Sequence, residues 1–465
     1  MTYRLPDLEI SPDDPFRHDA LDRKPIVEFL AALISRTGGP FVLALDSPWG
    51  SGKTTIVRML EAELKRQSFQ SVYFNAWQVD YVTDPLVALV SSIDQIELAD
   101  EQAASSFKDH LKVVRKVTTL VAKRGAVAAA KAVTAGMLDL EAEIEKAAAE
   151  FSGNVVSDLV DSFQKEKELL SKFRSELEAA VAQLSNSGKK PTLVFFIDEL
   201  DRCRPTFAIE LLERIKHLFD VPNITFVLSL DKKQLEASTA AVYGQGIDAP
   251  EYLRRFIDLE YGIPRSKAKK FTENLFARFG LDGIFAERNH PELQYERGNF
   301  LDVFTELADV MSMSLRARER CMTRLRVVMD QTPRDNYLEP ILIALLIVLR
   351  SNRNELFDSL CTGQAGPKDV MSYLASFPGG MDLVASRSGQ LIEAFLISSD
   401  ENENRRAARV VELKALAENE STAQQNRDAA KELLNFIQHA QRSMHRSPRF
   451  RFAARKVDLS AGLKD

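Results

Sequence analysis

The sequence is poor in cysteine and has no hydrophobic segment of membrane-spanning length. Its three cysteines, Cys203, Cys321 and Cys361, lie far apart and follow neither a disulfide nor a metal-binding spacing, which fits a reducing compartment. The most apolar run, Pro340–Leu349, is much shorter than the ~20 residues that cross a bilayer, and it predicts a buried helix instead. We therefore expect a cytoplasmic protein that does not insert into membranes.

A signal segment and a strong charge imbalance are also missing. Residues 1–14 contain no apolar signal core, and a net charge of −6 is too small to indicate a nucleic-acid or membrane partner by itself. The 465 residues are 45% hydrophobic and 28% charged. This composition is typical of a globular protein with two or three domains and ample core.

The clearest motif is the segment Ser47–Thr54, which reads SPWGSGKT. It follows the phosphate-binding pattern G-x-x-x-x-G-K-[ST] except at the first position, where Ser47 stands in place of glycine. A short apolar strand, Pro40–Asp46, is predicted before the motif and an amphipathic helix, Thr55–Gln67, after it, which is the context that the motif requires. The first glycine mainly eases the turn out of the strand, and Ser47 followed by Pro48 can serve there.

The chemistry of such a loop predicts a role for each part. Successive backbone N–H groups and the helix N-terminus bind phosphate oxygens, and Gly50 and Gly52 can adopt positive φ angles. Lys53 is predicted to reach the terminal phosphates, and the Thr54 hydroxyl to ligate Mg²⁺. The alternative is a loop that binds nothing. The complete set predicted to bind nucleotide here is Ser47, Pro48, Trp49, Gly50, Ser51, Gly52, Lys53, Thr54 and Thr55.

A second strand ends in two carboxylates. The run Leu193–Ile197 is continuously apolar, as in a parallel strand buried on both faces, and Asp198 and Glu199 follow it. Because parallel α/β sheets bind ligands at the carboxyl ends of their strands, Asp198 is predicted to hold Mg²⁺ through water. Glu199 is predicted to orient and polarise the attacking water. The alternative for this pair is an N-cap of the helix predicted at Thr206–Phe219.

A third strand is predicted at Asn223–Asp231. A polar residue at its end, Ser229 or Asp231, is a candidate contact for the γ-phosphate. The alternative for Asp231 is a cap of the helix predicted at Lys232–Thr239.

These segments resemble the KAP family of P-loop NTPases, a branch near the AAA+ and STAND ATPases. The resemblance covers about residues 14–330, and the family commonly has GEWGSGK where this chain has Ser47 and Pro48. It implies ATP as the nucleotide, and the chain has no N-K-x-D segment for reading guanine. The family includes bacterial proteins linked to phage exclusion and animal membrane scaffolds, which implies partner proteins of a defence or signalling system. The segments that carry the resemblance are DDPFRHDALDRKPIVEFLAALI, SPWGSGKTT, VYFNAWQVD, LVFFIDELDRC and FVLSLDKKQL.

The segment EYLRRFIDLEYGIP, Glu251–Pro264, resembles the AAA+ segment before the last core strand. This resemblance implies that Arg254 and Arg255 act catalytically as arginine fingers in the site of a neighbouring subunit, and therefore that the protein is a homo-oligomer. The alternative is an ion pair of these arginines with Glu251 or Asp258 of the same chain.

Another segment, MSLRARERC, resembles in its placement the second sensor of AAA+ proteins. The resemblance implies that Arg316 or Arg318 reaches the nucleotide from a helical lid. Arginines two positions apart lie on different faces of a helix, so only one of them can do this. The alternative is a solvated basic face.

The predicted fold class is α/β, a P-loop NTPase parallel sheet flanked by helices, with a helical insertion and a helical C-terminal domain. Within the insertion, apolar residues recur every seven positions at Phe163, Leu170, Leu177 and Leu184, as in a helical hairpin or coiled coil. The predicted segments are 1–92 and 188–264 for the two parts of the core, 93–187 for the insertion, 265–335 for the lid and 336–465 for the C-terminal region.

The C-terminal tail, Arg442–Lys456, alternates arginine with Phe450 and Phe452. Such a pattern can bind single-stranded nucleic acid by charge and stacking, or it can form a strand or tail that docks on the protein. The function predicted for the whole chain is an ATPase that requires Mg²⁺ and acts as a switch or motor. The alternatives are an ATP-binding scaffold with negligible hydrolysis and a nucleic-acid-associated ATPase.

Overall fold

The computed structural model of the protein describes residues 3, 5–6, 8–135, 154–264, 269–288, 293–444 and 450–459. The chain divides into two compact units, one formed by Leu8–Arg265 and the other by Met1–Asp7 together with Ser266–Asp465. None of the helices in the described ranges combines the length and the apolarity that crossing a bilayer requires.

The unit Leu8–Arg265 is built on a five-stranded sheet in which all neighbouring strands are parallel, in the order β2-β3-β4-β1-β5. Its strands are β1 (Phe41–Asp46), β2 (Gln70–Asn75), β3 (Leu193–Asp198), β4 (Ile224–Leu230) and β5 (Leu259–Gly262). Its helices are α1 (Lys24–Ile34), α2 (Lys53–Arg66), α3 (Pro85–Ser92), α4 (Glu101–Ala135), α5 (Asn154–Asn186), α6 (Pro205–Leu218), α7 (Lys232–Tyr243) and α8 (Ala249–Leu253).

The central strands are continuous apolar runs because helices cover both of their faces. Every residue of β3 and β4 is buried. One face packs against α1 and α2, and the other against a second cluster that includes α3 and α6. This arrangement confirms the predicted α/β class with a parallel sheet flanked by helices.

The parallel register brings polar residues together at one edge of the sheet. Asp198 at the end of β3 lies in register with Asn75 of β2 and with Ser229 of β4. Asp46 at the end of β1 lies in register with Leu230. The strand ends therefore form one polar edge beside the loop that follows β1.

Two long helices, α4 and α5, lie between β2 and β3 in the chain and pack along each other. Their contact includes a hydrogen bond of 2.7 Å between the His110 ring and Glu176. The buried residues Leu177 and Leu184 of the seven-residue repeat belong to the same core cluster as the sheet, and Leu170 is partly buried against it. The fourth repeat position, Phe163, lies outside the described side chains.

The secondary structure of the second unit consists of helices joined by turns and loops, with no strand among its described residues. Its helices are α9 (Lys269–Arg278), α10 (Leu281–Glu287), α11 (Glu296–Val310), α12 (Leu315–Asp330), α13 (Pro340–Asn352), α14 (Asn354–Cys361), α15 (Pro367–Ala375), α16 (Gly380–Ala385), α17 (Arg387–Ser399), α18 (Glu403–Glu418), α19 (Gln424–Met444) and α20 (Phe450–Asp458). All ten residues from Pro340 to Leu349 are buried in α13. This confirms that the most apolar run of the chain is a buried core helix.

The tail ends in α20, which docks on the second unit as a helix, so the interpretation of the tail as a strand is wrong for Phe450–Asp458. Phe450, Ala453, Ala454 and Val457 are buried in the main core of the unit. Lys456 is also buried, and its Nζ donates to the Thr332 hydroxyl at 2.7 Å. The tail arginines Arg442, Arg446 and Arg449 lie outside the described side chains.

Lys456 allows a pH-dependent test of this docking. Burial lowers its pKa from 10.5 to about 8. Between these values the unfolded state binds more protons than the folded state, so the free energy of unfolding rises with pH across this window. Lys456→Met removes the buried charge. The variant should exceed the parent in stability by about 1–3 kcal/mol at pH 7, and this difference should shrink between pH 8 and pH 10.5.

Thermal denaturation of both proteins at several pH values measures the difference. Lys414→Met is the matched control, since Lys414 is exposed on α18 and its replacement should give no comparable pH dependence. A stability difference that stays constant from pH 7 to pH 10.5 would contradict the assignment.

Candidate functional site

The loop between β1 and α2 has the backbone geometry of a phosphate cradle. Gly50 and Gly52 take left-handed φ angles of 74° and 89°, a region that disfavours other residues. Ser47 is not among the residues with positive φ, and its N–H donates to the Leu230 carbonyl at 3.2 Å. Serine is therefore compatible with the first position of the motif in this chain.

Lys53 begins α2, and its Nζ donates to the Ser47 carbonyl oxygen inside the loop. Burial lowers the pKa of this lysine, and nearby carboxylates oppose the shift. The ammonium group is therefore held in a partly desolvated position amid negative charge. The opposing carboxylates are those of Asp201, Asp231, Asp198 and Asp46.

Two buried hydroxyls at the loop have no protein partner within the described part of the chain: Ser51 Oγ in the loop and Ser229 Oγ at the end of β4. Buried hydroxyls are normally hydrogen-bonded, so each is available to a ligand or its water. The N-terminus of α2 is capped by Gly52, which has no side chain to satisfy the first N–H groups of the helix. These donors fit a phosphate group.

Asp198 is buried at the end of β3, with both carboxylate oxygens engaged. Oδ2 accepts from the Tyr73 hydroxyl at 2.9 Å, and Oδ1 accepts from the Glu199 N–H at 2.9 Å. Burial raises the pKa of Tyr73, as does the neighbouring Asp198 carboxylate. The Arg58 guanidinium lies 3.2 Å from the centre of the Tyr73 ring. Tyr73 therefore orients the proposed metal-holding carboxylate.

Glu199 adopts a left-handed φ of 61°, and side chains from two other positions hold its carboxylate. The Asn75 amide donates to Oε2 at 3.0 Å, and Arg202 forms an ion pair with Oε1. The N-cap position of α6 is occupied by Arg204, without a side-chain cap. The interpretation of the acidic pair as the N-cap of that helix is therefore wrong.

Asp231 lies at the N-cap position of α7, as the alternative interpretation placed it, but its side chain makes no capping hydrogen bond. Its Oδ2 instead accepts from the Trp49 backbone N–H at 3.2 Å. A second buried carboxylate, Asp201, accepts from the Trp49 indole Nε1 at 2.6 Å and from the Asp231 N–H at 2.8 Å. Burial raises the pKa of Asp201.

Four residues of this site have no role predicted from the sequence: Tyr73, Asn75, Asp201 and Arg202. All of them lie in the segments VYFNAWQVD and LVFFIDELDRC, which carry the family resemblance. The sequence feature that could have indicated them is a hydrogen-bonding side chain within a strand, as for Tyr73 and Asn75 in β2, or soon after one, as for Asp201 and Arg202 after β3. The chain alone does not indicate which carboxylate each of them contacts.

Arg254 and Arg255 are exposed at the end of α8. Arg254 pairs with Glu251 at 2.9 Å, which agrees with one form of the ion-pair alternative. Asp258 instead accepts from the Val42 N–H at 2.8 Å, and Arg255 lies 5.9 Å from the centre of the Tyr252 ring. An exposed pair of this kind contributes roughly 0–1 kcal/mol, so it can open readily.

Arg316 and Arg318 differ in their surroundings within the second unit. Arg318 is buried in α12 and pairs with Asp309 at 2.5 Å. Arg316 is exposed on the same helix. The alternative, a solvated basic face, is therefore correct for Arg316 but wrong for Arg318.

The donor set suits Mg²⁺ bound together with phosphate. In the described ranges, no group of three or more His, Cys, Asp or Glu side chains is arranged to hold a metal ion. Mg²⁺ is usually bound by one or two protein oxygens, with water and substrate phosphates completing its coordination. The hydroxyl of the exposed residue Thr54 and the Asp198 carboxylate are the candidate protein ligands for a metal that arrives with its nucleotide.

Comparisons with known proteins gave matches to a protein family and to a curated relative. The KAP family P-loop domain matches residues 23–332. The Phage T7 exclusion protein of Escherichia coli (strain K12) is 23% identical over 241 residues, which are 49% of this chain. This chain spans only 30% of the length of that relative.

Two solved structures of ORC proteins are also similar. Aeropyrum pernix ORC2, in ADPNP–ADP complexes, is 14% identical over 90% of this chain and 95% of its own, with a TM-score of 0.35. Drosophila ORC bound to poly(dA/dT) DNA and Cdc6 is 12% identical over 94% of this chain and 73% of its own, with a TM-score of 0.31. TM-scores this low do not establish a common arrangement of the whole chain.

Lys53 is the residue on which phosphate binding should depend most. Lys53→Ala should weaken nucleotide binding by about 10- to 100-fold, since a charged hydrogen bond to the terminal phosphates is lost. Calorimetric titration with ADP and with ATP measures the change. Lys65→Ala is the matched control, because Lys65 lies on the same helix and pairs with Glu61 at 2.8 Å. Unchanged affinity in the Lys53 variant would refute the assignment of the loop.

Proposed function

We propose, from the premise that the chain belongs to the KAP family of P-loop NTPases, that it is a Mg²⁺-dependent ATPase that acts as a switch or motor. The main support is the phosphate loop, in which two left-handed glycines, a partly buried lysine and an unpartnered buried serine hydroxyl lie together. The preference for ATP over GTP rests on the family resemblance and on the lack of an N-K-x-D segment.

Binding begins at the loop. Lys53 would exchange the Ser47 carbonyl for the terminal phosphates, and the N–H groups at the start of α2 would bind phosphate oxygens. Thr54 and Asp198 would hold Mg²⁺, the latter through water. Mg²⁺, when bound, neutralises charge on the phosphate oxygens. Tyr73 keeps the Asp198 carboxylate in one orientation during this step.

Hydrolysis would then depend on Glu199. Its carboxylate has about four acceptor positions, and Asn75 and Arg202 engage one on each oxygen. The free acceptor positions of the Glu199 carboxylate can take a proton from water as the water oxygen attacks the γ-phosphorus. The bond to the β–γ bridging oxygen breaks, and ADP and phosphate leave. The Ser229 hydroxyl is the candidate donor to the γ-phosphate.

Glu199→Gln tests this assignment. The variant should retain ATP affinity but lose about 10²–10⁴ in turnover, since a general base is removed while an acceptor oxygen stays. Phosphate release under saturating ATP measures turnover. Glu63→Gln is the matched control, because the partly buried Glu63 lies on α2 and pairs with Arg66. Equal turnover of the Glu199 variant and the parent would exclude this role.

The second candidate function is an ATP-binding scaffold with negligible hydrolysis. The observation that favours it is the engagement of both Glu199 oxygens by protein donors. A parent protein that binds ATP but releases phosphate no faster than the Lys53→Ala variant would establish this second function.

We also infer a homo-oligomer in which Arg254 and Arg255 complete the site of the next subunit. Their exposure on α8 supports this, because a side chain that acts between subunits must be accessible in the single chain. The transferring phosphoryl group spreads charge over its oxygens, which the guanidinium fork can neutralise. Within the proposed lid, residues 265–335, Arg316 is the better candidate for a phosphate contact, because Arg318 is engaged with Asp309.

Mixing two inactive variants tests the shared site. The double variant Arg254→Ala, Arg255→Ala and the variant Lys53→Ala should each lose activity, roughly 10³-fold or more for an arginine finger. Mixed assemblies should regain part of the turnover, because an intact Lys53 then meets a neighbour with intact arginines. A monomer that is fully active at high dilution would rule out the shared site.

The biological setting is proposed from the relatives and the tail. The similarity to a phage exclusion protein supports a role in antiviral defence. We propose that the protein acts there with partner proteins in the cytoplasm, in line with its few, widely spaced cysteines. Nucleic-acid binding by the tail has less support, because Phe450 and Lys456 are buried in the second unit. ATPase assays with and without single-stranded DNA or RNA test the nucleic-acid-associated alternative.

A further inference from the structure

Trp49 connects the phosphate loop to two carboxylates that the proposed reaction does not use. Its indole Nε1 donates to Asp201 Oδ2 at 2.6 Å, and its backbone N–H donates to Asp231 Oδ2 at 3.2 Å. The Asp231 N–H donates in turn to the same oxygen of Asp201 at 2.8 Å. These three hydrogen bonds form a closed triangle between the loop, the turn after β3 and the end of β4.

The indole is held by this hydrogen bond rather than by core packing. The side chain is 46% exposed, whereas Asp201 is only 6% exposed. A buried carboxylate is costly unless donors satisfy it, and a charged acceptor makes a hydrogen bond stronger than a neutral one. Trp49 therefore satisfies Asp201, and Asp201 determines where the middle of the loop lies.

The other carboxylates around Lys53 cannot replace Asp201 in this role. Asp46 accepts from the Lys232 N–H at 2.8 Å, and Asp198 is engaged by Tyr73 and by the Glu199 N–H. Asp231 accepts from the Trp49 backbone N–H, whereas Asp201 is the carboxylate that accepts from both the Trp49 indole and the Asp231 N–H. The Ser47 N–H also donates to the Leu230 carbonyl, which connects the loop to the end of β4 by another hydrogen bond.

We propose that Asp201 is a positioning residue for nucleotide binding, which holds the phosphate loop through Trp49 and Asp231 before the nucleotide arrives. The proposal rests on the nucleotide binding argued above. It extends that function, because it attributes the fixed conformation of the phosphate loop to a contact made across the edge of the sheet. Its loss should raise the Kd and the KM for ATP while changing kcat much less, because Asp201 touches neither Glu199 oxygen.

A double-mutant cycle tests the proposal. Trp49→Phe removes the indole N–H and keeps an exposed aromatic ring, and Asp201→Ala removes the acceptor. Each should raise the Kd for ADP by about tenfold, and the double variant should be little worse than either single variant. Asp201→Asn keeps an acceptor oxygen and should recover part of the affinity.

Trp77→Phe is the matched control, since Trp77 is the other tryptophan of the chain and is similarly exposed, at 52%. It should leave the Kd unchanged. In the Trp77→Phe background all tryptophan emission comes from Trp49, so Asp201→Asn should shift the emission maximum, which reports the contact directly. Circular dichroism shows which variants fold.

The outcomes separate this proposal from the proposed function. If the parent binds ADP and Lys53→Ala binds it about 10- to 100-fold more weakly, nucleotide binding stands. An unchanged Kd in Trp49→Phe, or additive effects in the cycle, would then overturn the positioning role alone. If Asp201→Ala does not fold, the comparison of Trp49→Phe with Trp77→Phe decides. A parent that binds no nucleotide would overturn both proposals.

Discussion

The burial of the central strands on both faces is the constraint on which the site depends. Because β3 and β4 are covered along their whole length, charged side chains occur only at or just after their carboxyl ends. The parallel register then brings Asn75, Asp198 and Ser229 side by side. The loop after β1 opens at the same edge, so donors for phosphate and acceptors for a cation meet there without a separate scaffold.

Buried and partly buried carboxylates at this edge have to be satisfied by donors from other elements, and this requirement orders the site. Tyr73 and Asn75 of β2 donate hydrogen bonds to Asp198 and Glu199, respectively. Trp49 of the loop donates one to Asp201. Unpaired charge in such a position would be costly, and a fully paired network is rigid. The groups that we propose for binding and hydrolysis are thus held by neighbours that take no part in the chemistry.

The helices α4 and α5 enter the chain between two neighbouring strands without separating them. β2 and β3 pair along six residues although the long insertion lies between them. The described part of the hairpin shares its buried residues, such as Phe173 and Leu177, with the core on one face of the sheet. The insertion therefore extends the core on this face of the sheet. The second unit has a separate core that includes the buried residues Ile341–Leu349 of α13.

The sequence by itself determined the features that depend on local pattern. Apolar runs predicted β1, β3, β4 and α13, and the glycine–lysine spacing indicated the phosphate loop and the family. Each of these signals lies within a few consecutive residues. Only the tertiary structure decided which donor forms a hydrogen bond with which carboxylate. The contacts Tyr73–Asp198, Asn75–Glu199 and Trp49–Asp201 join residues 125, 124 and 152 positions apart. Strand order and register determine these partners. The local periodicity of the sequence specifies neither of them.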